Sequence, residues 1–371
     1  MSNPVTRCMD WFFGRGAYAV TVPGMDGALR PNALLDEAPA LVCDPAPDNI
    51  VSLGGSFFHS CGHDLRQWHP DAPAPATLHS FDRPIAAMAA LSDGTLAIAL
   101  ADGTVLLRGP EGTRQLSAPQ SNGLLCITAL SETAPGVLAL ANGSARVHAT
   151  DWAADLMQRN ATGSVWLLDS AQDTVRPLAH GLAYAAGVLS DGRRLIVSEA
   201  WAHRLVAVPL SGGAPTALTA HLPGYPGRIV ADPSGGAWLC VFAPRSQLIE
   251  FVLRERGYRE RMMREVPREL WIAPALRSGE SFLEPLQGGA VKQLGILKPW
   301  APTRSYGLLV RLDDAFQPLF SLHSRADGRR HGVTSAALHA DGRVCVTACG
   351  GDVILDCAPA LTMEAEHAAA G

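Results

Sequence analysis

The sequence carries no excess of basic charge: its 30 lysines and arginines are outnumbered by 35 acidic residues, for a net charge of −5. A general nucleic-acid binder needs a basic face to displace phosphate counterions, so that class is set aside. No run approaches the roughly 18 apolar residues that a membrane span needs. The opening MSNPVTRCMDWFFGRGAYAV has no uninterrupted apolar segment after a basic start, so it does not read as a secretory signal. A P-loop, a GxSxG elbow, an HExxH zinc motif and a dinucleotide fingerprint are all absent. The 8 cysteines lie scattered at Cys8, Cys43, Cys61, Cys126, Cys240, Cys345, Cys349 and Cys357. Such scatter fits reduced thiols in an apolar interior better than a disulfide frame. These absences point to a cytoplasmic chain with neither a nucleic-acid nor a membrane partner; the oligomeric state is left open.

What is present is a repeat. A short apolar strand, a turn built on Asp-Gly or a variant, and a second apolar strand recur along the 371 residues, and the 36 glycines and 27 prolines suit a fold with many turns. The clearest copies are IAAMAALSDGTLAIALADGTVLLRG from Ile85, GLAYAAGVLSDGRRLIVSEAWAHRLVAVPL from Gly181, GRIVADPSGGAWLCVFAPRSQLIEFV from Gly227 and VTSAALHADGRVCVTACGGDVILDC from Val333. A degenerate copy, ITALSETAPGVLALANGS from Ile127, turns at Pro135-Gly136. Glycine accepts the positive φ that such hairpins require.

The turns fall near Asp93, Pro135, Asp191, Ser234 and Asp341. Most lie ~40–55 residues apart, the period of four-stranded propeller blades. The interval from Ser234 to Asp341 is about double, so a further blade is expected inside it, with GLLVRLDDAFQPLFSLH (Gly307–His323) as its outer strands. NIVSLGGSFFHSCGHDLRQW (Asn49–Trp68) is expected either to contribute to the first blade or to close the ring against VILDC. Ring closure leaves no open sheet edge. The expected fold is an all-β, six-bladed β-propeller over 41–358, with an N-terminal extension over 1–40, a flexible tail over 359–371 and a helix-containing insertion between late blades over 254–304. The charged run RERGYRERMMREVPRE (Arg254–Glu269) reads as a helix of that insertion, either a solvated surface helix or a lid over one propeller face.

Three stretches carry a family resemblance. AAGVLSDGRRLIVSEAWAHRL (Ala185–Leu205), HLPGYPGRIVADPSGGAWLCV (His221–Val241) and the segment from Ser305 to Val346 resemble the strictosidine synthase-like/gluconolactonase superfamily of six-bladed propellers. The resemblance implies a site at one mouth of the central channel, where the innermost strands begin. For gluconolactonase-like members it also implies a divalent cation on Glu, Asn and Asp side chains, because hard cations take oxygen ligands and polarise a carbonyl or activate water. Carried over residue by residue, the ligand positions fall near Ile85 and Thr128 and at Ala186 and Gly227. Ile, Ala and Gly offer no side-chain oxygen, so no metal ligand is assigned and no cofactor is expected, a cation such as Ca²⁺ being disfavoured. The strictosidine synthase glutamate falls at or near Ser335, and no acidic residue lies between His331 and Asp341, which argues against strictosidine synthesis itself.

Hairpin geometry puts the ends of second strands on the same rim as the starts of first strands. Glu199, beside Trp201 and His203, reads as a general base with a raised pKa, or as a structural carboxylate bonding loop amides or Arg204. His148 and Asp151, following Asn142, read as a base and its orienter, or as a capped turn into a short helix over 151–158. His331 and Arg228 sit near strand starts and would bind an anionic or carbonyl group, or cap neighbouring carbonyls. The run His59, Cys61, His63, Asp64 is dense in metal-ligand types, but zinc sites use better-separated pairs, and a turn with a half-buried thiol is the simpler reading. Tyr184, Trp152, Trp201 and Tyr225 would wall an apolar pocket.

The catalytic candidates are therefore Glu199, His331 and His148. The substrate-binding candidates are Tyr184, Trp201, Tyr225, Arg228, Asn142, Asp151 and Ser335. The leading expectation is a metal-independent hydrolase or lyase/cyclase acting on a small molecule at the channel mouth. Its rivals are a non-catalytic propeller that binds a metabolite or protein after losing its metal ligands, and a metal-dependent lactonase.

Overall fold

The computed structural model describes residues 22–69, 74–285, 303–339 and 341–358. The repeat becomes six antiparallel sheets of four strands each, whose innermost strands contact one another in a ring. From the inside outward, blade 1 is Pro47–Leu53, Ser56–Cys61, Asp64–Trp68 and Ala76–Ser80. Blade 2 is Ile85–Ala90, Leu96–Leu100, Val105–Gly109 and Gly112–Leu116; blade 3 is Ile127–Ala134, Val137–Asn142, Gly163–Asp169 and Thr174–Leu182. Blade 4 is Ala185–Ser190, Arg194–Glu199, Arg204–Pro209 and Thr216–Thr219; blade 5 is Gly224–Ala231, Ala237–Pro244, Gly307–Leu312 and Pro318–Ser324. Blade 6 takes Val333–Leu338, Val344–Ala348 and Val353–Asp356 from the C-terminal part, and its outer strand Ala40–Cys43 from the N-terminal part.

The composition of each strand follows from its place in the ring. Innermost strands crowd the axis and are built of small residues, as in Ala86, Ala87, Ala89 and Ala90 of blade 2. Second strands are covered on both faces by neighbouring blades, so Leu96–Leu100, Ala237–Pro244 and Val344–Ala348 are buried at every residue. A strand with both faces covered reads as an apolar run rather than an alternation. Each fully buried Leu or Val contributes about 1.5–3 kcal/mol. At the rim this pressure disappears, and Ala76–Ser80 is exposed throughout. The Asp-Gly turns lie at the far end: Asp93 Oδ1 accepts the Thr95 amide at 2.9 Å, Asp191 Oδ1 the Arg193 amide at 2.9 Å and Asp341 Oδ1 the Arg343 amide at 3.0 Å.

Of the two alternatives for Asn49–Trp68 the first holds: it lies within blade 1, and ring closure falls to Ala40–Cys43, which pairs antiparallel with Val353–Asp356. Gly307–His323 is not half of an extra blade but the outer half of blade 5, paired to Ala237–Pro244. The doubled interval after Ser234 arises because the helical insertion leaves the chain inside blade 5, between its second and third strands. That insertion holds two consecutive helices, Gln247–Arg254 and Arg256–Glu265, where a single helix was expected. No helix of the described residues is long and apolar enough to cross a membrane.

Candidate functional site

All six innermost strands slip register as they leave the mouth. The shifts fall between Asp48 and Val51, Ile85 and Ala87, Ile127 and Ala129, Ala185 and Gly187, Pro226 and Ile229, and Val333 and Ser335. A bulge takes a residue out of the ladder and leaves its backbone groups without a strand partner. A buried carbonyl left in that state costs about 1–3 kcal/mol. In blades 2, 3 and 6 the debt is met by one side chain. Arg228 of blade 5 reaches across the channel, where Nε donates to the Thr128 carbonyl at 3.1 Å, Nη1 to the Thr334 carbonyl at 3.0 Å and Nη2 to the Ala86 carbonyl at 2.7 Å. Nη1 also donates to Asp48 Oδ1 of blade 1 at 2.9 Å, and the same oxygen accepts the Asn49 amide at 2.7 Å. Arg228 thus bonds to four other blades. Thr128 Oγ1 extends the ring to blade 4 through the Ala185 carbonyl at 2.6 Å.

The guanidinium divides the channel in two. A cavity of about 240 Å³ lies toward the mouth, and one of about 360 Å³ lies on the turn side; Arg228 lines both. The floor of the mouth chamber is Asp48, Ala86, Thr128, Ala186, Arg228 and Thr334, and its walls are Trp152, Tyr184 and Phe242. Tyr184 is held in the left-handed region at φ 61°, a conformation that a bulky residue keeps only when its surroundings enforce it. Its ring stacks on Trp201 at 4.4 Å, and a Cβ on Gly143 would come within 2.8 Å of it. Burial pushes the Tyr184 phenol well above its ordinary pKa, so the group stays protonated, with its oxygen accepting from Cys126 Sγ at 3.7 Å.

The insertion borders this chamber through Leu276. Ile249, Val252, Leu253, Met262 and Trp271 join a buried cluster with Tyr184, Tyr225 and Phe242, so the two helices pack against the wall residues, while none of their own residues lines the chamber. Glu250 anchors the first helix: its Oε1 accepts from Arg245 Nε at 3.1 Å and lies 3.4 Å from His203 Nε2. Burial alone would raise the Glu250 carboxyl, but the bonds and charges of His203 and Arg245 hold it at about 2. Arg268 crosses to Asp151 and the Thr150 carbonyl of blade 3, and Arg277 pairs with Asp352 of blade 6. Between them Leu276 lines the chamber, its carbonyl passing so close to Gly350 that a Cβ there would lie 1.9 Å away.

The expected residues divide sharply. Arg228 and Tyr184 line the chamber. Trp201 stands one layer behind, stacked on Tyr184 and bonded through Nε1 to Asp155 Oδ1 at 2.8 Å; Tyr225 is fully buried behind Trp201 and Phe242. Glu199 does not open on the mouth: it is 2% exposed, Oε1 accepts the Ala183 amide at 2.9 Å and Oε2 accepts Arg204 Nε at 2.5 Å. His331 is likewise enclosed, with Nδ1 at 2.8 Å from Ser305 Oγ and Nε2 at 2.7 Å from the Arg325 carbonyl; burial lowers its pKa. His148 is exposed and unpaired with Asp151, whose carboxylate goes to Arg268. Asn142 accepts the Cys126 amide at 3.0 Å and donates to the Ser144 carbonyl at 3.0 Å. Ser335 Oγ accepts the Ile50 amide at 3.0 Å, tying blade 6 to blade 1.

Asp48, Phe242 and Leu276 belong to the chamber and were missed. Asp48 had a usable signal, since it stands at the start of an innermost strand like Ala86, Thr128 and Thr334. It went unread because the Gly54-Gly55 turn of blade 1 was not recognised as a copy of the repeat.

The residues do not fit the cation that the resemblance implies. Ile85, Ala186 and Gly227 supply no side-chain oxygen, and a fixed positive charge already holds the one carboxylate and three carbonyls of the floor. A second cluster, Asp44, His59 and Cys61, brings ligand atoms within 4.8 Å of one another. It differs from the sequence run in recruiting Asp44 instead of His63 and Asp64. Arg66 takes Asp44 Oδ1 at 2.6 Å, His59 takes Oδ2 at 2.8 Å, and burial pushes the Cys61 thiol up to about 12, whereas a zinc ligand is a thiolate.

Fold and site together define a six-bladed propeller with an aromatic-walled chamber at its channel mouth. No family model and no curated protein matches the sequence. Solved structures do match in fold. A gluconolactonase from Xanthomonas campestris aligns with TM-score 0.54 and 11% identity, over 86% of this chain and 87% of that one. A luciferin-regenerating enzyme aligns with TM-score 0.50 and 12% identity, over 85% and 86%. A calcium-binding regucalcin from Agrobacterium tumefaciens aligns with TM-score 0.49 and 16% identity, over 84% and 83%.

Proposed function

We infer that the chain is a metal-independent hydrolase acting on a small, mostly apolar ester or lactone in the mouth chamber. The observation that carries this reading is the Asp48–Arg228 pair on the floor of an aromatic-walled cavity that opens at the channel mouth. Arginine has five N–H donors, four of which are spent here on Thr128, Thr334, Ala86 and Asp48, leaving one on Nη2. Among the described residues Asp48 Oδ2 accepts no hydrogen bond, while Oδ1 is fixed by Arg228 and Asn49. Asp48 takes a proton from water as the new oxygen–carbon bond forms at the carbonyl carbon. The free Nη2–H donates to the developing oxyanion, which a preorganised donor stabilises. Collapse breaks the bond to the leaving oxygen, and Asp48 returns its proton there. Similarity in fold to a gluconolactonase is compatible with this class of chemistry. The strictosidine synthase-like label adds the expectation of a metal-free propeller site.

A second reading is binding without turnover. It is favoured by the absence of any histidine among the described residues that line the chamber and by the mutual neutralisation of Asp48 and Arg228. One screen separates the two: aryl esters and lactones are offered with and without chelator to the parent chain and to Asp48→Asn. Turnover that survives chelator and falls by about 10²-fold or more in Asp48→Asn supports hydrolysis. Saturable binding of the same compounds without turnover supports the second reading, and chelator-sensitive turnover overturns the metal-independent one.

A further inference from the structure

We propose that Arg228 is an internal replacement for a divalent cation on the channel axis, and that removing its side chain opens a site for Ca²⁺. The inference concerns how the inner ring is held together, so it does not rest on catalysis in the chamber. It begins from the bulges. By stepping out of register at the mouth, the innermost strands of blades 2, 3 and 6 turn the carbonyls of Ala86, Thr128 and Thr334 toward one point, and blade 1 adds Asp48 Oδ1. One carboxylate and three carbonyl oxygens form an all-oxygen set, the kind that Ca²⁺ gathers at about 2.3–2.6 Å in flexible geometry with water filling the remainder. Here the same oxygens sit 2.7–3.1 Å from guanidinium nitrogens. Arginine suits the task because it never loses its charge, and its planar fork addresses several oxygens in different directions at once.

Arg228 also closes the axis. It lines the mouth chamber on one side and the cavity of about 360 Å³ on the other, so no second group is needed to separate them. Shortening the side chain leaves four oxygens of one electrostatic sign facing a continuous channel. The repulsion among them is relieved by a small cation entering from solvent.

The test is thermal unfolding of the parent chain, Arg228→Ala, Arg228→Lys and the double variant Arg228→Ala/Asp48→Asn, each in millimolar CaCl₂, in chelator, and in chelator with low-millimolar guanidinium. The parent midpoint is expected to be the same in all three. Arg228→Ala is expected to melt several degrees lower in chelator and to recover in calcium or in guanidinium, by the stabilisation that any ligand specific to the folded state brings. The double variant is expected to lose the calcium response, and Arg228→Lys, which keeps a charge near Asp48, to show none. A calcium-dependent midpoint in the parent overturns the proposal. So does an Arg228→Ala chain, folded or unfolded, that neither calcium nor guanidinium restores, or a calcium response that persists without Asp48.

Discussion

Tyr184 shows how much of the site is decided at single residues. Its φ of 61° and its place against Gly143 mean that the chamber wall depends on a residue with no side chain. Gly143→Ala is expected to push the ring off its stack with Trp201, to cost about 1–3 kcal/mol as overpacked sites do, and to weaken ligand binding at the mouth. Urea unfolding and binding titration check both effects. Little of this was legible beforehand. Arg228 and Tyr184 stood out as mouth residues because the hairpin repeat fixed which strand ends share a rim. Glu199 and His331 met the same positional test, yet every one of their polar atoms is engaged by Arg204, the Ala183 amide, Ser305 or the Arg325 carbonyl. Position along a strand does not reveal which partner reaches a side chain from elsewhere in the fold.

At the scale of elements, the insertion behaves as part of the site because Glu250 fastens its first helix to blade 4 through His203 and to the adjoining Arg245. Glu250→Gln leaves the guanidinium and imidazole without their carboxylate. It is expected to cost about 1–3 kcal/mol and to speed amide exchange across 247–265 more than in the blades. Equal exchange in both regions would show that the helices are held by apolar packing alone. The charge of the run Arg254–Glu269 was visible in the sequence, but its role was not. Arg256–Glu260 and Arg261–Glu265 pair along the exposed face, while Met262 and the Val252–Leu253 pair on the preceding helix turn inward. A charged helix shows its solvent face in composition and its docking face only in packing.

For the whole molecule, the turn chemistry of Asp93, Asp191 and Asp341 was enough to predict a ring of blades. The closing strand Ala40–Cys43 was not predicted, because four residues at the edge carry no turn signal of their own. The folded ring also hides four histidines in neutral form. Burial is the leading cause that lowers His59, His203, His323 and His331, with His323 at about 4. Each binds its proton more readily unfolded, so its stabilising contribution is complete above about pH 6.5 and is lost as pH falls through the folded value. The melting midpoint is therefore expected to be flat from about pH 8 to about pH 6.5 and to decline toward about pH 4. His323→Asn should soften the lower part of that decline.

The claim on which the rest turns is that a guanidinium holds the channel axis, and a crystal structure grown in calcium tests it most directly. The account predicts planar density for Arg228 among Asp48 and the carbonyls of Ala86, Thr128 and Thr334. A spherical ion bound to those same oxygens, with Arg228 swung away, would contradict it.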